Sequence, residues 1–262
     1  MKKLLLLITG LLLLFSVEGQ ILRYSNYVAQ PEEPGGSENG LLTNLVAYWK
    51  LDESSGTLDD AVGSNNSTAC IADYDSTGKI NSCLYFNGGI GDYAEFADAA
   101  NLQMYNQDFT MMAWVYMHDL PGTSTAFPIF GGEGGSAGFN IYTNSSGYTG
   151  FQVTKVNIGA GTKATVNYLN ADTWYLVALI FDSSATTNNA TFYYNGTTVA
   201  VTYNNDFTDG AGTIYMGKYN STTGFATMLI DEAAIWKGRK LSTEDLDLIY
   251  NSGSGLAFVN YD

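Results

Sequence analysis

The sequence predicts an all-β protein, a β-sandwich with one short C-terminal helix. Three observations point there. From Asn44 onward, short β-prone runs are separated by clusters of Gly, Asn, Asp and Ser, the punctuation of strands rather than of helices. Several runs alternate with period two. Only one segment, near the C-terminus, carries the residues that start a helix.

The elements follow in chain order. Met1 to Gly19 reads as a signal peptide: Lys2 and Lys3 form a basic start, Leu4 to Phe15 an apolar run, Ser16 to Gly19 the exit. The apolar run is shorter than the roughly 20 residues that span a bilayer. The 20–43 segment reads as a leader or linker, broken by Pro31, Pro34, Gly35 and Gly36. Within it, Ile21, Leu22, Tyr24, Tyr27 and Val28 are too apolar for a solvated tail. They fit an extra strand on this domain or one donated to a neighbour, so self-association through 21–28 is an expectation. The sandwich domain is then 44–262.

Strands are expected at 46–51, 84–86, 93–96, 109–117, 128–131, 139–143, 150–156, 165–168, 174–181, 191–194, 197–203, 213–217 and 225–236. In 109–117, Thr110, Met112, Trp114 and Tyr116 share one face, and Phe109, Met111, Ala113, Val115 and Met117 share the other. Apolar residues on both faces predict a central strand covered on both sides. Asn195-Gly196 between two runs predicts a tight hairpin, because both residues tolerate the positive φ of a type I′ turn. Ser242 and Asp245 form a capping pattern ahead of Leu246, Leu248 and Ile249, which predicts a helix over 243–251.

Charge narrows the partners. The formal charge is −15, a surface that repels nucleic acid and anionic membrane and is compatible with hard cations. Two cysteines are present, Cys70 and Cys83. With an export signal they fit one disulfide, and two buried thiols are the alternative. One histidine, His118, and no C-x-x-C leave nothing that looks like a zinc site.

The order of several short motifs resembles the laminin G-like, concanavalin A-like lectin/glucanase superfamily. Ala47-Tyr48-Trp49-Lys50-Leu51-Asp52-Glu53 with Gly56 and Asp59 is similar to its first strand and turn. Leu84-Tyr85-Phe86-Asn87-Gly88 with Asp92-Tyr93, then Phe109-Thr110 leading to Ala113-Trp114-Val115, resemble its second block and central strand. Trp174-Tyr175-Leu176-Val177-Ala178, Tyr194-Asn195-Gly196, Tyr215-Met216-Gly217 and Ile230-Asp231-Glu232 resemble the later blocks, closing on Leu241-Ser242, Glu244 and Tyr250. The resemblance covers about 44–252. It implies a two-sheet antiparallel jelly-roll sandwich and says less of function, since one fold hosts many activities. It also implies a structural calcium held by the side chain and carbonyl of Asp231, the Gly88 carbonyl and an oxygen from Asp52 or a neighbour, with loop-amide bonding by the same carboxylates as the alternative.

Catalytic signals are weak. Hydrolases of this fold carry a Glu-x-Asp-x-x-Glu run, since glycoside cleavage needs paired carboxylates, and no such run occurs. Glu133 lies in a glycine-rich loop without a visible partner, and His118 precedes a turn and reads as solvated. For ligand binding, sugar C–H faces stack on aromatic rings. Trp49, Trp114, Trp174 and Trp236 all fall inside strands and read as core. Tyr142, Tyr148 and Tyr219, near loops and among Asn140, Asn144 and Asn220, are the ligand-binding candidates. Six N-x-S/T sequons begin at Asn65, Asn66, Asn144, Asn189, Asn195 and Asn220. The expected function is a secreted, non-catalytic carbohydrate- or glycoprotein-binding or adhesion module. The alternatives are a structural subunit of an extracellular or viral surface assembly and an unrecognised glycoside hydrolase.

Overall fold

The run 109–116 is apolar at both parities, and the chain places it mid-sheet, where both faces are covered. The computed structural model describes residues 38–89, 92–97, 99–105, 107–123, 125–132, 137–144, 146, 149–155, 162–165, 169–204, 213–219 and 225–257. The signal segment, the 21–28 stretch and Glu133 lie outside them.

The described strands are β1 (Leu45–Trp49), β2 (Ser67–Cys70), β3 (Asp73–Thr77), β4 (Ser82–Asn87), β5 (Ala94–Phe96), β6 (Phe109–Tyr116), β7 (Ala126–Gly132) and β8 (Ala137–Thr143). They continue with β9 (Thr149–Lys155), β10 (Thr162–Thr165), β11 (Trp174–Phe181), β12 (Ala190–Tyr194), β13 (Thr197–Val201), β14 (Ile214–Met216) and β15 (Thr227–Lys237). Two helices, α1 (Glu38–Leu41) and α2 (Thr243–Tyr250), flank them in sequence. The first sheet runs β13-β12-β11-β6-β15-β4-β3, and the second β10-β9-β8-β7-β14-β5-β2. Every pairing is antiparallel. The long β15 pairs with β4 over its first half and with β1 over its second.

The core lies between the sheets. Leu84, Phe86, Met111, Ala113, Val115, Val177 and Leu179 come from the first sheet, and Phe127, Ile129, Phe139, Ile141, Phe151 and Val153 from the second. These are alternate residues along each strand, as inter-sheet packing requires. Phe151 stacks on Phe192 across the core with centroids 5.5 Å apart.

Most expected elements are present. The Asn195-Gly196 turn closes β12 onto β13, with φ of 43° and 85° at the two residues. Ser242 caps α2 through the Asp245 amide while the Asp245 carboxylate accepts from the Ser242 amide. That leaves Asp245 buried. Two strands were not expected, β2 and β3, whose sequences Ser-Thr-Ala-Cys and Asp-Tyr-Asp-Ser-Thr carry little apolar alternation. Ahead of residue 44, Leu41 is fully buried, and its carbonyl accepts from Trp236 Nε1 at 2.6 Å. The expected disulfide is not formed. Cys70 lies on β2 of the second sheet, Cys83 on β4 of the first, and both are free thiols.

Candidate functional site

The outer face of the first sheet is divided. On β6, β11 and β15 the outward residues Met112, Trp114, Leu176, Ala178, Ile180, Ala234 and Trp236 form a second apolar cluster. Leu246 and Ile249 of α2 and Leu41 of α1 cover it. Tyr193 donates to Asp247 Oδ1 at 2.7 Å and fastens α2 to β12.

Beyond that cover, among the described residues, the same face is open. A groove of about 440 Å³ crosses it, lined by Trp174, Tyr116, Leu229, Tyr85, His118, Ser76 and Thr77. Its floor is a single cross-strand row. Trp174 pairs with Tyr116, Tyr116 with Leu229, and Leu229 with Tyr85. Directly opposed residues in antiparallel strands point to one side, so four neighbouring strands each give one side chain to the groove. All four are half-buried. Tyr116 and Trp174 rings lie 5.5 Å apart at 51°, and His118 stands edge-on to Tyr116 at 5.1 Å and to Tyr85 at 6.4 Å. Asp172 orders one end, accepting from Tyr116 Oη at 3.1 Å and lying 3.3 Å from His118 Nδ1. Partial desolvation, and then this bond to Asp172, pushes the Tyr116 hydroxyl above the usual phenol range. It therefore stays protonated and donates. Aromatic faces beside hydroxyls suit sugar rings, which show a C–H face and a rim of hydroxyls.

A second group is chemically distinct and closed. β15 bulges between Asp231 and Ala234 against β6, with Glu232 at φ 50°. Both carboxyls are sealed from solvent, at 0% and 2% exposure. Asp231 Oδ2 accepts from the Ile80 amide at 2.9 Å, and Glu232 Oε2 accepts from the Tyr48 hydroxyl. Asp231 Oδ1 and Glu232 Oε1 have no hydrogen-bond partner among the described residues. Burial pushes each carboxyl up to about 8. Cys83 is pushed up to about 12 by burial and then by the charges of Asp231 and Asp52, which makes it an unreactive thiol.

The structure brings together only part of the set carried over for calcium. Asp52 and Asp231 both bind the 78–82 turn. The two Asp52 carboxylate oxygens accept from the Ser82 amide and from Asn81 Nδ2, each at 3.1 Å. Gly88 lies elsewhere. It follows Asn87, which pairs with Thr227, four residues along β15 from Asp231, or about 13 Å at strand rise. N–H donors already occupy most of the carboxylate oxygens, and calcium needs six to eight oxygen ligands. The three residues therefore do not fit that ion. Among the described residues no cluster of three His, Cys, Asp or Glu side chains could hold a metal.

Of the tyrosine candidates, Tyr142 on β8 of the second sheet and Tyr219 in the loop after β14 are not among the groove's lining residues, and Tyr148 lies outside the described residues. Of the four tryptophans, Trp49, Trp114 and Trp236 are buried as expected, while Trp174 is not. No local sequence signal sets it apart, since the buried Trp49 and Trp236 also lie at or beside strand ends. Among the sequons, the side chains of Asn65 and Asn189 are buried and hydrogen-bonded, to Asp60 and Val46 and to Tyr203.

Comparison with known proteins agrees with the fold. A family profile described as the concanavalin A-like lectin/glucanases superfamily matches residues 87–247. No curated protein sequence matches. Among solved structures, Trypanosoma rangeli sialidase in complex with sialic acid is similar at 17% identity and a TM-score of 0.58. That match covers 81% of this chain and 34% of the sialidase, so the chain spans about a third of that enzyme's length. Domain 4 of AbnA, a GH43 extracellular arabinanase from Geobacillus stearothermophilus solved with arabinotriose, matches at 20% identity and a TM-score of 0.57. It covers 78% of this chain and 97% of that domain. The binding domain of Paraclostridial Mosquitocidal Protein 1 matches at 13% identity and a TM-score of 0.62, over 81% of this chain and 53% of that one.

Proposed function

The chain belongs to the concanavalin A-like lectin/glucanase superfamily, and from that premise we propose that it is a secreted, non-catalytic glycan-binding module holding its ligand in the groove on the first sheet. One observation carries the reading, the row Trp174, Tyr116, Leu229 and Tyr85, which presents three aromatic rings on adjacent strands of an open face. Other features support it. The adjacent carboxyls Asp231 and Glu232 are sealed beneath the surface, where a glycosidase's acid and nucleophile could not reach a glycan. Domain 4 of the arabinanase, solved with an arabino-oligosaccharide, shares the fold over nearly its full length. The basic-then-apolar start of the sequence fits export.

A glycan array probed with the wild type and with Trp174→Ala tests this. The expected result is a defined set of bound glycans whose signal falls at least tenfold in the variant while its melting curve stays cooperative. Hydrolysis of a bound glycan would overturn the non-catalytic part, and a signal unchanged by Trp174→Ala would overturn the groove as the site.

A further inference from the structure

The geometry points to the charge and length of the ligand: we infer that the groove takes a neutral oligosaccharide laid across the strands and discriminates against anionic sugars. This rests on the glycan-binding reading of the same groove.

Length comes from the sheet. The row from Trp174 to Tyr85 crosses three strand spacings, about 14 Å, and one further spacing to β3 brings it to about 19 Å. Asp73 opposes Tyr85 in register and continues the row onto that edge strand. A volume of about 440 Å³ over that length is a shallow trough for a few sugar rings in line, rather than a socket for one.

Charge comes from the walls. No lysine or arginine is among the described residues that line the groove. Carboxylates stand at both ends: Asp172, with its side chain 69% exposed, beside Tyr116, and exposed Asp73 beyond Tyr85. Lys79, a cation on this face, has its ammonium 5.0 Å above the Trp114 ring, one register row away from the trough towards α2. Recognition of a sugar carboxylate or sulfate calls for Arg or Lys donors. Here such a group would meet Asp73 or Asp172 on a chain of net charge −15. Neutral sugars meet no such penalty, because their hydroxyls donate to those same carboxylates while their C–H faces rest on the rings.

Calorimetric titration of the purified chain at neutral pH and low salt tests this with matched probes. One pair is tetragalacturonate and its methyl ester, the other sialyllactose and lactose. A neutral panel adds arabinotriose, xylotetraose, cellotetraose and mannotetraose. The expected result is binding within the neutral set, with each anionic probe at least tenfold weaker than its neutral partner. Binding should be lost in both Trp174→Ala and Tyr85→Ala. The double variant Asp73→Asn with Asp172→Asn should narrow the gap between charged and neutral partners. Tighter binding of an anionic probe that is still lost in Trp174→Ala would overturn the charge inference and leave the groove reading standing. Binding that survives both aromatic variants, or no binding by any probe, would overturn the groove reading and this inference with it.

Discussion

The Trp114 indole stacks on the Tyr250 ring, with centroids 5.8 Å apart and planes 27° from parallel. Tyr250 is the last residue of α2, so this contact is where the covered half of the face stops and the groove begins. Tyr250→Ala should expose Trp114, raising acrylamide quenching of tryptophan fluorescence. Unfolding free energy should fall by about 1–3 kcal/mol, as for a partly buried aromatic. Unchanged quenching would show that α2 does not shield Trp114.

Glu232 gives a pH dependence of defined sign. Burial raises its folded-state carboxyl to about 8, against 4.5 for the free side chain. The folded protein therefore holds a proton that the unfolded chain releases. The associated stability is full below about 4.5, declines as pH rises, and is gone above about 8. Asp231, raised to about 8 from 3.8 for the same reason, acts in the same direction. Melting midpoints should fall between pH 5 and pH 8, and Glu232→Gln, neutral at every pH, should flatten the slope and melt higher than wild type at pH 8. A wild-type midpoint that rises over that interval would contradict the burial argument.

Gly217 has φ 77° and ends β14 against the face of Phe86, where an added Cβ would overlap the ring. Phe86 is fully buried and has nowhere to turn. Gly217→Ala should cost about 3 kcal/mol in urea denaturation, from strain and overpacking combined. A loss under 1 kcal/mol would mean that β14 shifts freely.

Calcium should leave the melting midpoint where EDTA leaves it, because the Gly88 carbonyl and the Asp231 carboxyl lie at opposite ends of the β4–β15 pairing. A rise of several degrees with calcium would instead show that unpartnered Asp231 Oδ1 takes the ion from another set of oxygens.

Local signals in the sequence carried much of this structure. Alternation in 109–117 revealed both faces of β6, Asn195-Gly196 the hairpin, and Ser242 with Asp245 the helix start, because each depends on neighbours a few residues away. The groove was not legible by those means. Trp114 and Trp174 both sit in apolar strands on the same face, and only the docking of α2 over one of them decides which is wet. β3 was missed because an edge strand with solvent beside it needs no apolar alternation, and its residues are exposed or half-exposed. Motif order says nothing of how far along a ladder two residues lie, and Gly88 and Asp231 fall at opposite ends of the β4–β15 pairing.

The bulge in β15 has a further consequence. Asp231 and Ala234 face Trp114 and Met112, so two residues, Glu232 and Ala233, stand opposite one, Ala113. Odd positions, such as Leu229, point outward before the bulge, and even ones, such as Trp236, after it. The strand is thus a regular ladder with one acidic residue to spare. A chain shortened by Glu232 alone would keep Leu229 in the groove, Ile230 in the core and Trp236 under the helices, whereas losing Ile230 or Ile235 would turn part of the strand inside out.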